Sequence, residues 1–252
     1  MADVTVWNGV FDSFSEARGH SGVFEGDIWI DRAAAGMRAE LERVAQGQPS
    51  AAALTNSYIL PAVAAMAVEP DSTLRVVAFG GGMGSGYVSL RASLRDVRLD
   101  YHIVELARVC SIARAIFANS PEAPIFHESI PELDGRPSLV HSGSSLQYVE
   151  DWRGLVRQLA SYRAPYLLFS DTLAGEIETF VSLQQYYGSQ LTTWFWNLTE
   201  FVTAVEATGY RLRLSVPYKR KILGKYDGPP MDNFPPERRL DHTLHLLFVR
   251  TE

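Results

Sequence analysis

Apolar positions along the chain follow two different periods. From Ile28 to Val44 the stretch IWIDRAAAGMRAELERV places apolar residues at helical spacing among good helix formers, and SAAALTNSYILPAVAAMAVEP continues the same pattern to a stop near Pro70. The first seventy residues are therefore expected to be mostly helical. Beyond them, short apolar runs alternate with longer amphipathic stretches: LRVVAF, YHIVE, PIFHE, SLVHS, YLLFSD, YRLRLSV and HTLHLLFV. That order predicts an α/β sheet with crossover helices. The last two runs are separated by KRKILGKYDGPPMDNFPPERRLD, which is rich in Pro, Gly and charge and has no helical period. Two strands joined in this way are expected to pair antiparallel at one edge of an otherwise parallel sheet. Residues 1–70 read as a helical lid or cap belonging to the same domain, and 71–252 as its sheet-bearing part.

Composition narrows the class without naming a function. At 252 residues and 28.0 kDa the chain has the size of one large domain. It is 46% hydrophobic and 21% charged with no apolar run long enough to span a bilayer, so a soluble protein with no membrane partner is expected. The start, MADVTVWNGVFDSFSEARGH, lacks the basic and apolar regions of a signal peptide. Cys110 is the only cysteine, which excludes an internal disulfide framework and fits a reducing compartment, most simply the cytoplasm. A net charge of -6 argues against a general nucleic-acid footprint. The one dense basic cluster, KRKILGK from Lys219 to Lys225, reads either as a solvated loop or as a contact for an anionic substrate.

The first candidate chemistry is VVAFGGGMGSGY, Val76 to Tyr87, where an apolar run breaks into five glycines within seven positions. A phosphate-binding P-loop requires Gly-Lys-Ser/Thr at its end, and no Lys follows here. The dinucleotide pattern Gly-x-Gly-x-x-Gly fails in both registers, its third position falling on Ser85 or Tyr87. That disfavours a nicotinamide-dependent oxidoreductase. Gly80, Gly82 and Gly84 instead give Gly-x-Gly-x-Gly, in which missing Cβ atoms and positive φ let the backbone pass close to a ligand. About one strand further on, YHIVE supplies Glu105, an acid at a strand end whose two oxygens suit the paired hydroxyls of a ribose.

With these residues in place the chain resembles a class I S-adenosylmethionine-dependent methyltransferase. More narrowly it is similar to a group of such sequences found among polysaccharide and specialised-metabolite genes, which carry FGGG-x-GS-x-Y and SSSLQY-like motifs. Here those are Phe79 to Tyr87 and Ser142 to Tyr148, and the similarity extends to WNGVFDSFSEA and QQYYG. The resemblance implies a Rossmann-like seven-stranded sheet with an antiparallel edge strand and an N-terminal helical cap. It implies S-adenosylmethionine as cofactor, held by Phe79, Gly80, Gly81, Gly82, Gly84, Ser85, Tyr87, Glu105, Leu106, Glu128, Ser142 and Gly143. Methyl transfer to an O or N atom of a sugar or specialised metabolite is the implied activity. The chain departs from the pattern at Ala78 and Phe79, where many such enzymes carry an acid, and ALTNSYILP lacks an Arg-Asp pair expected in this group. Anchoring of the methionine carboxylate must then come from elsewhere. A non-catalytic nucleoside-binding protein on the same sheet is the alternative that Ala78 motivates.

Other residues are placed by the expected strand order. FHES, after the third strand, offers Glu128 or His127 to an adenine amine, or a plain surface turn. His141 ends the fourth strand beside the glycine loop; it can act as a general base, being near half-ionised at neutral pH, or be hydrogen-bonded within the sheet. Asp171 ends YLLFSDT and can orient an acceptor or cap the next helix, the commoner use of Asp. Gln147 and Tyr148 are expected to face the acceptor, with Gln184, Gln185, Tyr186 and Tyr187 from the aromatic segment VSLQQYYGSQLTTWFWN; Trp194, Phe195 and Trp196 of that segment read as core. Trp7, in WNGVFDSF, belongs either to a lid over the cofactor or to a tether for the terminal helices. No metal site can be assembled from the acids, and the sequence leaves a homodimer open.

Overall fold

The computed structural model describes residues 5–20, 22–50, 58–120, 122–219, 221–222 and 226–251. In chain order its elements are β1 (Trp7–Phe11), α1 (Phe14–Ala17), α2 (Asp27–Ala45), α3 (Ile59–Met66), β2 (Thr73–Phe79), α4 (Ser85–Ser93), β3 (Arg98–Val104), α5 (Ala107–Ile116), β4 (Ile125–His127) and β5 (Leu139–Gly143). There follow α6 (Trp152–Ala160), β6 (Tyr166–Thr172), β7 (Ala174–Gly175), β8 (Phe180–Tyr186), β9 (Ser189–Asn197), α7 (Leu198–Glu206), β10 (Tyr210–Tyr218), β11 (Lys221–Ile222), β12 (Tyr226–Asp227) and β13 (Thr243–Arg250).

All seven apolar runs become strands of one sheet, ordered β10-β13-β6-β5-β2-β3-β4. Strands β4, β3, β2, β5 and β6 run parallel to one another, and β13 runs antiparallel to both β6 and β10. The expected antiparallel pair thus closes that edge, with the reversed strand one place in from the end. The period of two decides which side chains go where. In β2, Leu74, Val76 and Ala78 join a core with α2 to α5, while Val77 joins the opposite core with α6 and α7. Burial on both faces is why these strands read as continuous apolar runs.

The helices are set by spacing and by caps. Ile30, Ala34 and Met37 bury one stripe of α2. Asp151 caps α6 by accepting from the Gly154 N–H at 2.8 Å, and Asn197 caps α7 by accepting from the Glu200 N–H at 3.0 Å. Among the described residues no helix is long and apolar enough to cross a membrane.

The structure departs from a mostly helical first seventy residues at its beginning. β1 is a strand, paired antiparallel with β8 in a second sheet ordered β1-β8-β9-β7. The β8–β9 hairpin turns through Tyr187 (φ 47) and Gly188 (φ 79), two left-handed residues that match the twist of the flanking strands. A third core unites this sheet with the connection before β13: Trp7, Phe180 and Phe195 pack with Met231, Phe234 and Leu240. Phe180 and Phe195 stack at 4.8 Å, and Trp152, Trp196 and Phe201 form a separate aromatic group under β9. Phe195 and Trp196 are fully buried, as expected for core.

Candidate cofactor and acceptor site

The carboxyl ends of β4, β3, β2, β5 and β6 lie along one edge of the sheet, and the strand order reverses between β2 and β5. Such a switch point leaves a crevice into which the following loops project. The glycine loop leaves β2 there, and its glycines have distinct reasons. Gly80 (φ +64) is pinned by space: a Cβ on it would lie 2.2 Å from the Ser145 Cβ. Gly82 (φ +57) is pinned by conformation alone, because a Cβ there would meet nothing within 4 Å. Gly82 is thus the member of the loop that faces open space.

Glu105 ties the loop down. One carboxylate oxygen accepts from the Gly82 N–H at 2.8 Å and the other from the Leu106 N–H at 3.0 Å. A carboxylate can accept about four hydrogen bonds, so acceptor capacity remains after both contacts. Burial raises the Glu105 pKa, and the two backbone N–H groups oppose that rise. Cys110, buried at the start of α5, donates to the carbonyls of Glu105 and His127 at 3.4 and 3.3 Å and holds the ends of β3 and β4 together. Leu106 is 40% exposed beside this carboxylate, an apolar surface at the crevice.

The GSSLQY segment supports the loop from the other side. Ser145 donates to the Phe79 carbonyl at 3.0 Å and shares a hydrogen bond of 2.8 Å with the buried Ser142. Gly143 is confined, since a Cβ would sit 2.9 Å from the Ser170 Oγ and 3.0 Å from the His141 ring. Ser85 opens α4 and is exposed. Tyr87 lies elsewhere: its helical position turns it into the core between Tyr101 and Phe117, with its hydroxyl donating to the Glu122 carbonyl. Glu128 is exposed and pairs with Arg114 at 3.2 Å.

Beyond the end of β5 lies a small cavity of about 20 Å³, room for about one water-sized group. It is lined by Trp7, Gln147, Tyr148, Asp171 and Gln184, drawn from four separate parts of the sequence. The remaining wall includes Ser144, Leu173, Tyr218 and Thr243. Gln185 points to the exposed face of β8, and Tyr187 sits in the hairpin turn under the Arg32 guanidinium, so neither lines the cavity. Tyr148 donates to Gln184 at 2.9 Å, linking the second sheet to the first. The segment before α2 adds to that link: Phe24 packs on Tyr148 and Tyr186, and Arg108, just after Leu106, bonds to the Glu25 carbonyl and to Asp27. Residues 22–27 therefore bridge the Glu105 side and the hairpin.

Asp171 does not cap a helix. It lies within β6 with a left-handed backbone (φ 55), where it accepts from the Thr243 hydroxyl at 2.7 Å, and its N–H donates to His245 Nδ1 at 3.1 Å. Ser144 is left-handed as well (φ 52). Backbone strain of this kind costs about 1–3 kcal/mol per residue and concentrates at functional sites.

His141 is hydrogen-bonded within the sheet, the second of the two states expected for it. Its Nε2 shares a hydrogen bond of 2.8 Å with Ser170, and burial, reinforced by His245, pulls its pKa down to about 4. At neutral pH it is therefore uncharged rather than half-ionised. Because the folded pKa is depressed, the unfolded chain binds the extra proton between about 6.5 and about 4, and folding stability falls as pH drops through that window. Burial lowers His245 and His127 in the same direction. Urea unfolding at pH 7 and pH 5 is expected to show the loss, and His141→Gln to reduce its slope by up to about one proton. A slope unchanged by the substitution would contradict the assignment.

Sequence reasoning missed Ser145, Tyr218, Thr243 and His245. The last three flank or follow the connection between β10 and β13. β10 is parallel to β6, so that connection emerges at the same edge as the glycine loop; strand direction was the available signal. Of the basic cluster KRKILGK, residues 220 and 223–225 lie outside the described residues, as do residues 53–57 of the ALTNSYILP segment. Lys219 reaches Asp241 at 4.0 Å.

No protein-family model matches the chain, and no curated protein matches its sequence. Solved structures do match its fold. The protein described as a methyltransferase in the Haloferax volcanii complex with the Trm112 methyltransferase activator aligns over 92% of this chain and 98% of its own, at 17% identity and a TM-score of 0.56. The CcbJ methyltransferase of Streptomyces caelestis aligns over 82% and 92%, at 13% identity and a TM-score of 0.51. LepI in complex with S-adenosylmethionine aligns over 77% of this chain at 12% identity and a TM-score of 0.52, and the chain spans only 47% of that protein's length. At these identities the likeness is one of fold: the chain, with its seven-stranded sheet, shares the Rossmann-like architecture of these proteins.

Proposed function

We propose that the protein is an S-adenosylmethionine-dependent methyltransferase acting on an O or N atom of a small molecule. The observation that carries this reading is the Glu105–Gly82 pair: a carboxylate with acceptor capacity to spare, fixed against a left-handed glycine that faces open space. A nucleoside with two adjacent hydroxyls, each able to donate, fits those acceptor oxygens. Glu105 would accept from the ribose, Leu106 would cover the adenine, and the N-terminus of α4, whose cap Gly84 offers no side-chain acceptor, leaves backbone N–H groups for a carboxylate. Ala78 and Phe79 provide no acid for the amino group.

When bound, the cofactor supplies an electrophilic methyl group on a sulfonium. The work left to the chain is to bring the acceptor atom into line and keep water out, an orientation effect worth about 7–11 kcal/mol of barrier at best. His141 is poorly matched to a base's role at neutral pH, since catalytic efficiency is greatest with a pKa near the working pH. Its bond to Ser170 gives it a positioning role at the end of β5. Asp171 lines the cavity, where its carboxylate would accept a hydrogen bond from a hydroxyl acceptor and orient it.

The low basicity of His141 and the absence of an acid at Ala78 also favour a second reading, nucleoside binding without turnover. Incubation with S-adenosylmethionine labelled in its methyl group, and a panel of sugars and specialised metabolites, separates the two. Transfer of label supports the enzyme; tight binding with no transfer to any acceptor supports the second reading. The acceptor class and a cytoplasmic location rest on the sequence resemblance and the single buried cysteine.

A further inference from the structure

We propose that the groove between α6 and α7 docks an acidic peptide segment of a partner protein, held by Arg157 and Arg163. This goes beyond the methyltransferase reading and does not depend on it. The groove lies on the face of the sheet that carries α6 and α7, and it reaches the edge opposite the glycine loop, where β6 and β10 begin and β13 ends. It is open, with a volume of about 1150 Å³. Four arginines line it: Arg153 and Arg157 from α6, Arg163 from the turn before β6, and Arg250 from the end of β13. Among the described residues Glu200 is the one acid in that lining. Glu252, next to the lining residue Thr251, lies outside the described residues, and counting it still leaves two acids against four arginines.

Arg153 bonds to Glu200 across the two helices, and Thr179 donates to the other oxygen of that carboxylate, so this acid is already engaged. Arg157 lies one turn further along α6, yet one turn beyond Glu200 the facing helix offers Thr203 and Ala204 in place of a carboxylate. Its exposed guanidinium makes no hydrogen bond or ion pair among the described residues, and neither does that of Arg163. The next acid of α7, Glu206, is held by Arg211 and the Leu212 N–H. Arg163 also stands on a left-handed backbone (φ 57), a conformation that costs any residue with a Cβ and that Gly adopts freely.

The occupant follows from these walls. Guanidinium forks pair with carboxylates and phosphates, so the ligand is anionic. α6 is nine residues long, which is about 14 Å, a length that an extended segment of about four residues spans. Ala160, Ala204 and Ala207 line the same groove and leave room for a backbone to approach. A small molecule would remain largely in water in so open a groove, whereas small-molecule sites bury most of their ligand. The net charge of -6 repels a long polyanion such as a nucleic acid, and bears less on a peptide with a few carboxylates.

Calorimetric titration of the full chain at low salt tests this with three probes: an octapeptide of alternating glutamate and serine, its glutamine counterpart, and a thymidine decanucleotide. The acidic peptide is expected to bind, to weaken as salt rises, and to exceed the glutamine peptide in affinity by at least about tenfold. Arg157→Gln and Arg163→Gly should each weaken it about two- to fivefold, and together about tenfold. Arg163→Gly relieves a left-handed side chain, so its melting temperature should hold or rise, which separates lost binding from lost folding; Arg157→Gln is an independent change on the exposed face of α6. No binding of the acidic peptide, equal binding of the glutamine peptide, an affinity unaltered in the double variant, or tighter binding of the decanucleotide would overturn the proposal. S-adenosylhomocysteine is titrated into the same samples. Its failure to bind counts against the methyltransferase reading alone, and failure of the acidic peptide against this one alone.

Discussion

Glu105→Ala is expected to weaken S-adenosylhomocysteine binding by about 1–3 kcal/mol, a factor of about 5 to 150. Two effects act together. The substitution removes the acceptor for a ribose diol, and it releases the Gly82 and Leu106 N–H groups that the carboxylate now holds at 2.8 and 3.0 Å. Glu105→Gln separates them, because an amide can still accept from Gly82 but turns a donor toward Leu106 or the ligand; an intermediate loss is expected. The pH dependence has a definite sign. Burial raises the Glu105 pKa, so protonation begins at a higher pH than for an ordinary glutamate, and affinity should fall on acidification through that raised value. Calorimetric titration of both variants checks the prediction. Unaltered affinity in Glu105→Ala would mean that the ribose assignment is wrong.

Gly80→Ala is expected to cost about 2–5 kcal/mol of folding stability. An L-residue held left-handed loses about 1–2 kcal/mol, and forcing a methyl into packed atoms costs about 1–3 kcal/mol more. Both apply at φ +64 with the Ser145 Cβ only 2.2 Å from the added carbon. For a chain of this size the melting temperature should drop by about 5–15 °C. Adding Ser145→Gly should recover the overlap but not the backbone strain. Gly82→Ala is the contrasting control: with nothing within 4 Å of its Cβ, it should lose about 1–2 kcal/mol from conformation alone while impairing cofactor binding. Equal melting temperatures for Gly80→Ala and the unmodified chain would remove the packing argument.

The main sheet was legible because its strands are buried on both faces, so Val76, Val77 and Ala78 leave no polar break to hide the run. The crevice was legible for a related reason, since Gly80 to Gly84 and Glu105 follow strands whose order could be anticipated. β1 was not, because its partner β8 lies far along the chain and its exposed and buried positions merely alternate around aromatics that also suit a helix. The β8–β9 hairpin left a signal that went unused: Tyr187-Gly188 between alternating residues is a two-residue turn of the kind that requires positive φ. For Asp171 the sequence offers an orienting role or a cap, and its left-handed position within β6 is held by Thr243 and His245, residues that only the reversed strand β13 brings near. Nor could periodicity report the His141 pKa, which is set by burial in the finished sheet.

On the proposed reading the glycine loop and Glu105 hold the nucleoside of S-adenosylmethionine. Calorimetric titration of the unmodified protein with S-adenosylhomocysteine, run beside NAD, tests it most directly. Micromolar binding of S-adenosylhomocysteine is expected, and none of NAD at the same concentrations. Binding of NAD in preference to S-adenosylhomocysteine, or of neither, would contradict it.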